Sequence, residues 1–200
     1  QPQSPAAEAF RQLRTSVQFY SVDRPLRTVM VTSTTPDEGK SSVVANLAVT
    51  LAQAGRKVVL VDCDLRRPTL HTLFEVDNAA GLTTTLLDPT GTPALVATGV
   101  ENLQLLPSGP VPPNPSELLA SPKMAALLER LRGDAEPIEH RRQVRVVLLV
   151  VDDEARIDRH ALAGVLDIDG GRMAAGAQIA FIDHDLIVRL LHQRQGRRVA

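Results

Sequence analysis

The sequence predicts an α/β fold, a mainly parallel sheet with helices on both faces, and three neighbouring stretches carry that prediction. Val29, Met30 and Val31 make a short apolar run, and Lys57 to Asp62 makes a second; both have the length and Val/Leu content of strands buried on two faces. Between them, Val43 to Ala54 keeps a helical period and stops at Gly55, a residue suited to the position just past a helix end. Strand, loop, helix, strand in that order implies a right-handed crossover into a parallel sheet.

The remaining elements continue the rhythm. Ser4 followed by Pro5 reads as an N-cap with proline at the first helical position, and Phe10, Leu13 and Val17 then recur on one stripe, so a first helix runs to about Tyr20. Glu8, Arg11 and Arg14 fall together on an arc beside that stripe, where they can form a solvated charged face or meet another surface. Leu103 to Leu106 reads as a strand. Ser121 and Pro122 open a helix carrying Met124, Leu127, Leu128 and Leu131, and a proline-rich loop over 109–115 lies between. Farther on, Val144–Val151 reads as a buried strand, Ala155–Leu166 as a helix, Ala177–Ile182 as a strand and Leu186–His192 as a last helix.

A formal net charge of −1 over 200 residues gives no electrostatic grip on nucleic acid, so small molecules or proteins are the expected partners. The only cysteine, Cys63, cannot close an internal disulfide, and no apolar run is long enough to cross a bilayer; the stretch reads as soluble and intracellular. It begins with Gln, as a fragment of a longer polypeptide would. Composition changes abruptly along it. Residues 1–132 contain 14 Thr and 9 Ser, whereas residues 133–200 contain neither, so the chain divides into a P-loop part over 1–132 and an atypical segment over 133–200 that completes the same α/β domain.

The chemistry is concentrated between the first two strands. Against the pattern G-x-x-x-x-G-K-[ST], positions 34–41 match at Gly39, Lys40 and Ser41, with Thr34 in place of the first glycine. Such a loop surrounds phosphate oxygens with backbone N–H groups, which makes the fold P-loop NTPase-like and the ligand ATP with magnesium. Thr35, Pro36, Asp37, Glu38, Gly39, Lys40, Ser41 and Ser42 are the predicted nucleotide-binding residues, with Lys40 on the β/γ-phosphates and the Ser41 hydroxyl on Mg2+. Asp62 and Asp64 end the second strand on one face; one can hold the metal or its water and the other can take a proton from an attacking hydroxyl. Lys40, Asp62 and Asp64 are therefore the predicted catalytic residues, Ser41 and Asp62 the predicted metal ligands, and Cys63, facing the other way, a packing residue. Asp183-His184-Asp185 reads as a polar turn, because adjacent residues rarely converge on one ion.

Residues 4–131 resemble the cytoplasmic kinase domain of bacterial tyrosine kinases that regulate capsule and exopolysaccharide synthesis. The likeness runs in order through the stretches 4–15, 31–41, 59–68 and 106–119. It implies that Lys40 and Ser41 occupy Walker A, and that Asp62 and Asp64 occupy a second acidic motif, Walker A′, serving magnesium and catalysis. Glu8, Arg11 and Arg14 fall on an E-x-x-R-x-x-R motif that, in the family, joins subunits into a ring where one phosphorylates its neighbour's tyrosine tail. The resemblance thus implies a homo-oligomer, protein tyrosine substrates, and a membrane-embedded polysaccharide co-polymerase-type activator, fused upstream or separate. That activator would hold a cytoplasmic domain at the inner face of the plasma membrane.

Three departures qualify the likeness. Asp37 stands where the family has Gly and adds negative charge beside phosphate, which weakens binding. Tyr20 is the only tyrosine, so the family's C-terminal tyrosine cluster has no counterpart here. The third acidic motif, Asp-Thr-Pro-Pro after an apolar strand, is missing; the nearest substitute is Asp152 after Val144–Val151, a candidate metal ligand or, alternatively, a helix N-cap. With the compositional break, this suggests that the segment beyond about residue 133 arose by recombination, a shifted reading frame or divergence. Two alternatives to an active kinase remain: a catalytically impaired nucleotide-binding regulatory subunit, and a partitioning-type ATPase. Ser33-Thr34-Thr35, where that last group carries an extra lysine, argues against it.

Overall fold

A computed structural model describes residues 4–20, 27–33, 38–133, 146–151, 165–166 and 177–181. In chain order the elements are α1 (Pro5–Tyr20), β1 (Thr28–Ser33), α2 (Lys40–Gln53), β2 (Val58–Cys63), α3 (Leu70–Leu73) and α4 (Leu82–Leu87). They continue with β3 (Val96–Ala97), β4 (Leu103–Leu106), α5 (Pro115–Leu119), α6 (Pro122–Arg132), β5 (Val146–Val151), β6 (Val165–Leu166) and β7 (Ala177–Phe181). The strands form one sheet of order β3-β4-β2-β5-β1-β7-β6. Its middle four, β4, β2, β5 and β1, are parallel, and antiparallel strands complete both edges.

Local sequence signals explain many element boundaries. The Ser4 hydroxyl accepts the Ala7 N–H at 3.1 Å and so satisfies one of the unpaired amides that open α1. At α6 the Ser121 hydroxyl accepts from the Met124 N–H at 3.3 Å, with Pro122 at the first position. Gly55, at φ +80, ends α2 in the left-handed conformation that a side chain disfavours.

Period-two alternation in the strands sorts apolar side chains onto two faces. Val29, Val31, Val58, Leu60, Leu103 and Leu105 pack with Leu13 and Val17 of α1 and with Val44, Leu47 and Leu51 of α2. Met30, Val59, Val61, Cys63, Leu106 and Val147 meet Leu82 and Leu86 of α4 and Met124, Leu127, Leu128 and Leu131 of α6. A sheet covered on both faces needs its central strands apolar throughout, and β2 is buried at every position.

β1 and β2, joined by α2, are parallel but not neighbours, because β5 lies between them and pairs in parallel with both. The structure corrects two expectations. Val165 and Leu166, expected at the end of a helix, are strand residues paired with Ala180 and Ile179 of β7; partners distant in sequence override the local helical period. α2 begins at Lys40 rather than Val43, since the phosphate-loop pattern itself supplies the first helical turn. The expected helix over 155–164, that over 186–192, and Asp183 to Asp185 lie outside the described residues.

The segment after β4 is pinned where Gly81 meets the turn at Pro107 to Gly109. Leu82 and Thr83, the first residues of α4, donate their N–H groups to the Pro107 and Ser108 carbonyls at 2.7 and 2.8 Å. Asn78 accepts the Gly109 N–H at 2.9 Å and donates its side-chain amide to the Gly109 carbonyl at 3.2 Å. A Cβ on Gly81 would collide with the Pro107 carbonyl and the Gly109 amide nitrogen, both backbone atoms with little room to move. Gly81→Ala is therefore expected to destabilise the protein by at least about 2 kcal/mol in urea unfolding, as overpacking against rigid backbone does. A loss under about 0.5 kcal/mol would contradict this packing, being the size of an ordinary surface change.

Candidate functional site

The parallel strands β1 and β2 end on the same side of the sheet, and the site is built from the segments that leave their two ends. After β1 the chain reaches Gly39, which caps α2 at φ 81 and ψ 19, a left-handed conformation that explains glycine at this position. Its carbonyl accepts the Val43 N–H at 2.9 Å and starts the helix. Lys40, the first residue of α2, is 7% exposed; Glu38, Gly39 and Ser41 are half-buried, and Ser42 is exposed. Thr35, Pro36 and Asp37 lie outside the described residues, as does Asp152.

After β2, Asp62 is wholly buried. One carboxylate oxygen accepts the Asp64 N–H at 3.2 Å, and the other accepts the N–H groups of Thr69 at 3.2 Å and Leu70 at 3.0 Å. Those last two amides open α3, so a strand-end carboxylate acts as the cap of the next helix. Burial pushes the Asp62 carboxyl up to about 7, against the amide of Leu70, which favours the anion, and with the nearby charge of Asp64, which disfavours it further. Asp64, 8% exposed, accepts the Arg67 N–H at 2.9 Å and fixes the turn beyond it. Cys63 between them is buried, and burial pushes its thiol well up, leaving an inert packing residue.

The two halves meet at Thr69, whose hydroxyl donates to the Ser41 hydroxyl oxygen at 2.7 Å. Ser41 and Asp62 are thus joined through one residue, Thr69, that the sequence pattern does not single out. The signal available was weak: a threonine between Pro68 and an apolar Leu70 suggests a helix N-cap. In the structure Thr69 holds the N-cap position of α3, yet its side chain does not cap. The Ser41 hydroxyl and the Asp62 carboxylate, joined through Thr69, offer an all-oxygen donor set, the chemistry that magnesium takes. A carboxylate offers about four acceptor positions, and three on Asp62 are filled by amides, so the set fits an ion reached through one remaining position or through a water.

Glu8, Arg11 and Arg14 stand on α1, which packs on α2 through Leu13 and Val17. Arg11 and Glu8 form an ion pair at 2.7 Å, exposed on both sides and so worth little to stability on its own. Arg14 is half-buried, with its Nε enclosed and without a hydrogen-bond partner among the described residues.

The sequence and the fold match those of known proteins. The sequence model of the CobQ/CobB/MinD/ParA nucleotide binding domain matches residues 29–197, running through the compositional break at 133. The chain is 49% identical over 128 residues to the tyrosine-protein kinase YwqD of Bacillus subtilis, covering 64% of this chain and 54% of that one. It is 35% identical over 189 residues to CapB of Staphylococcus aureus, named for the same activity, covering 86% and 83% of the two chains. The solved kinase domain of the Escherichia coli tyrosine kinase ETK matches with a TM-score of 0.66 at 35% identity, over 77% of this chain and 60% of that one. The chain spans about half the length of YwqD. The chain therefore belongs to the bacterial tyrosine kinases, within the CobQ/CobB/MinD/ParA family of nucleotide-binding domains.

Proposed function

We propose that the chain is an ATP-dependent kinase domain that transfers a phosphoryl group to protein tyrosine in the regulation of capsular or exopolysaccharide synthesis. The observation that carries this reading is the linkage of Ser41 to Asp62 through Thr69, which puts a loop hydroxyl and a strand-end carboxylate in one site. With ATP as substrate, the turn at Gly39 and the first N–H groups of α2 face the phosphate oxygens, and Lys40 balances the β/γ charge. Ser41 and Asp62 would hold magnesium, which would offset the charge that develops on the phosphate oxygens. Asp64 takes the proton of the tyrosine hydroxyl as its oxygen attacks the γ-phosphorus and ADP leaves. Asp152 is proposed as a third carboxylate; β5, which precedes it in sequence, runs beside β2 with Val151 opposite Cys63.

On this reading the working form is a homo-oligomer. Glu8, Arg11 and Arg14 face the neighbouring subunit, supported by Phe19, which is 73% exposed and stands three helical turns on from Glu8 on the same side of α1. The activator is a membrane-embedded polysaccharide co-polymerase, which would hold the domain at the inner face of the plasma membrane; no described helix of the chain is long and apolar enough to cross a membrane. Residues 133–200 complete the same α/β domain, supported by β5 between β1 and β2. A second reading, an impaired nucleotide-binding regulatory subunit, is favoured by one observation: three of the acceptor positions on Asp62 are already filled by backbone amides.

Radiolabelled ATP, magnesium and a tyrosine-rich peptide separate the two. Phosphopeptide should form, and Lys40→Met should lower the rate at least about 100-fold, the usual consequence of removing one positioned electrostatic group. Nucleotide binding without Lys40-dependent transfer would establish the regulatory reading instead.

The raised Asp62 carboxyl makes a second prediction, for the protein without magnesium. Between an unfolded value near 3.8 and a folded value of about 7, the folded state holds a proton that the unfolded state has released. Stability should therefore fall as pH rises from about 4 to about 7 and level off above that. In Asp62→Asn this component of the slope should vanish, as read from urea midpoints across the same range; parallel profiles for the two proteins would contradict the assignment.

A further inference from the structure

Thr69 occupies a place where its side chain has an obvious local use and does not take it. At the N-cap of a helix a threonine hydroxyl ordinarily accepts an N–H from the first turn. Here the Thr69 and Leu70 amides both go to the Asp62 carboxylate, and the Thr69 hydroxyl is left to donate across 28 positions of sequence to Ser41. A serine hydroxyl is a free rotor unless something fixes it. With one lone pair of the Ser41 oxygen taken by Thr69, its second lone pair and its proton have defined directions. The same residue is fixed from behind by a wholly buried carboxylate that cannot shift without leaving amides unpaired. Thr69 itself is exposed, so packing does not account for where its side chain points.

We propose that Thr69 is the positioning residue of the magnesium site, holding the Ser41 hydroxyl with its own hydroxyl while its backbone amide ties it to Asp62. This rests on the reading of Ser41 and Asp62 as the residues that hold magnesium. Thr69 touches neither nucleotide nor metal; it acts by fixing the ligand that does. Its loss should weaken the gain in nucleotide affinity that magnesium confers and leave metal-free nucleotide binding alone.

The test is the affinity for fluorescent mant-ADP, measured with saturating magnesium and again in EDTA, for wild type, Thr69→Val and Thr69→Ser. Valine keeps the branched shape and the backbone amide and removes only the hydroxyl; serine restores it. The magnesium-dependent gain should drop about three- to tenfold in Thr69→Val, the effect of one hydrogen bond, and return in Thr69→Ser, with the affinity in EDTA the same for all three. An equal loss with and without magnesium would assign Thr69 a general role in the loop and overturn the proposal. So would a valine variant whose magnesium gain matches wild type. A wild-type protein that binds mant-ADP no better with magnesium would overturn the metal reading itself, and this inference with it.

Discussion

The site depends on one buried carboxylate. Asp62 sits at the end of the strand with its side chain wholly out of water, a position costly for a charge unless hydrogen bonds replace the lost solvent. Three backbone amides supply part of that replacement, and each is also a structural commitment. The Asp64 amide turns the chain away from β2, and the Thr69 and Leu70 amides begin α3. Because Thr69 then reaches Ser41, the carboxylate fixes the direction of a side chain on a different element, at the start of α2. Removing Asp62 would therefore release the turn, the short helix and the loop serine together.

The sheet provides the frame for this arrangement. Four parallel strands run side by side, and their apolar residues divide between a layer of α1 and α2 and a layer of α4 and α6. β5 is the piece that makes the frame continuous, since without it β1 and β2 would have no shared partner. It comes from the segment whose composition differs most from the rest, yet it consists only of Val and Leu, which is what a strand covered on both faces requires. Cys63, at the far end of β2, belongs to this packing and not to the chemistry, being enclosed with Val61, Leu65 and Leu106.

What the sequence made legible were features set by neighbours along the chain. The Ser4 and Ser121 caps, the stop at Gly55 and the strands β2 and β4 all arise from a few consecutive residues. So does the loop at Gly39 to Ser41, though the left-handed backbone at Gly39 adds a reason for glycine beyond clearance for phosphate. What stayed hidden depends on contacts between distant positions. That β5 would insert between β1 and β2 is a matter of pairing, not of local pattern, and the strand identity of Val165 and Leu166 is decided by β7. The helices α3 and α4 are too short for a helical period to register. The role of Thr69 could not be read from Pro68-Thr69-Leu70, because its partner is Ser41 and its tether is Asp62. Both carboxylates were expected to face the ligand, but Asp62 spends most of its acceptor capacity on the backbone, and Asp64 also holds the amide of Arg67.

If the hydrogen bonds through Thr69 hold, the start of α2 and the segment from Asp62 to Leu70 are one nucleotide site, not two independent loops. Amide hydrogen exchange with and without ADP and magnesium measures this directly. Peptides covering 38–46 and 62–70 should gain protection together on ligand addition, while β4 and α6 do not change. Protection confined to 38–46, with 62–70 exchanging as in the unliganded protein, would contradict it.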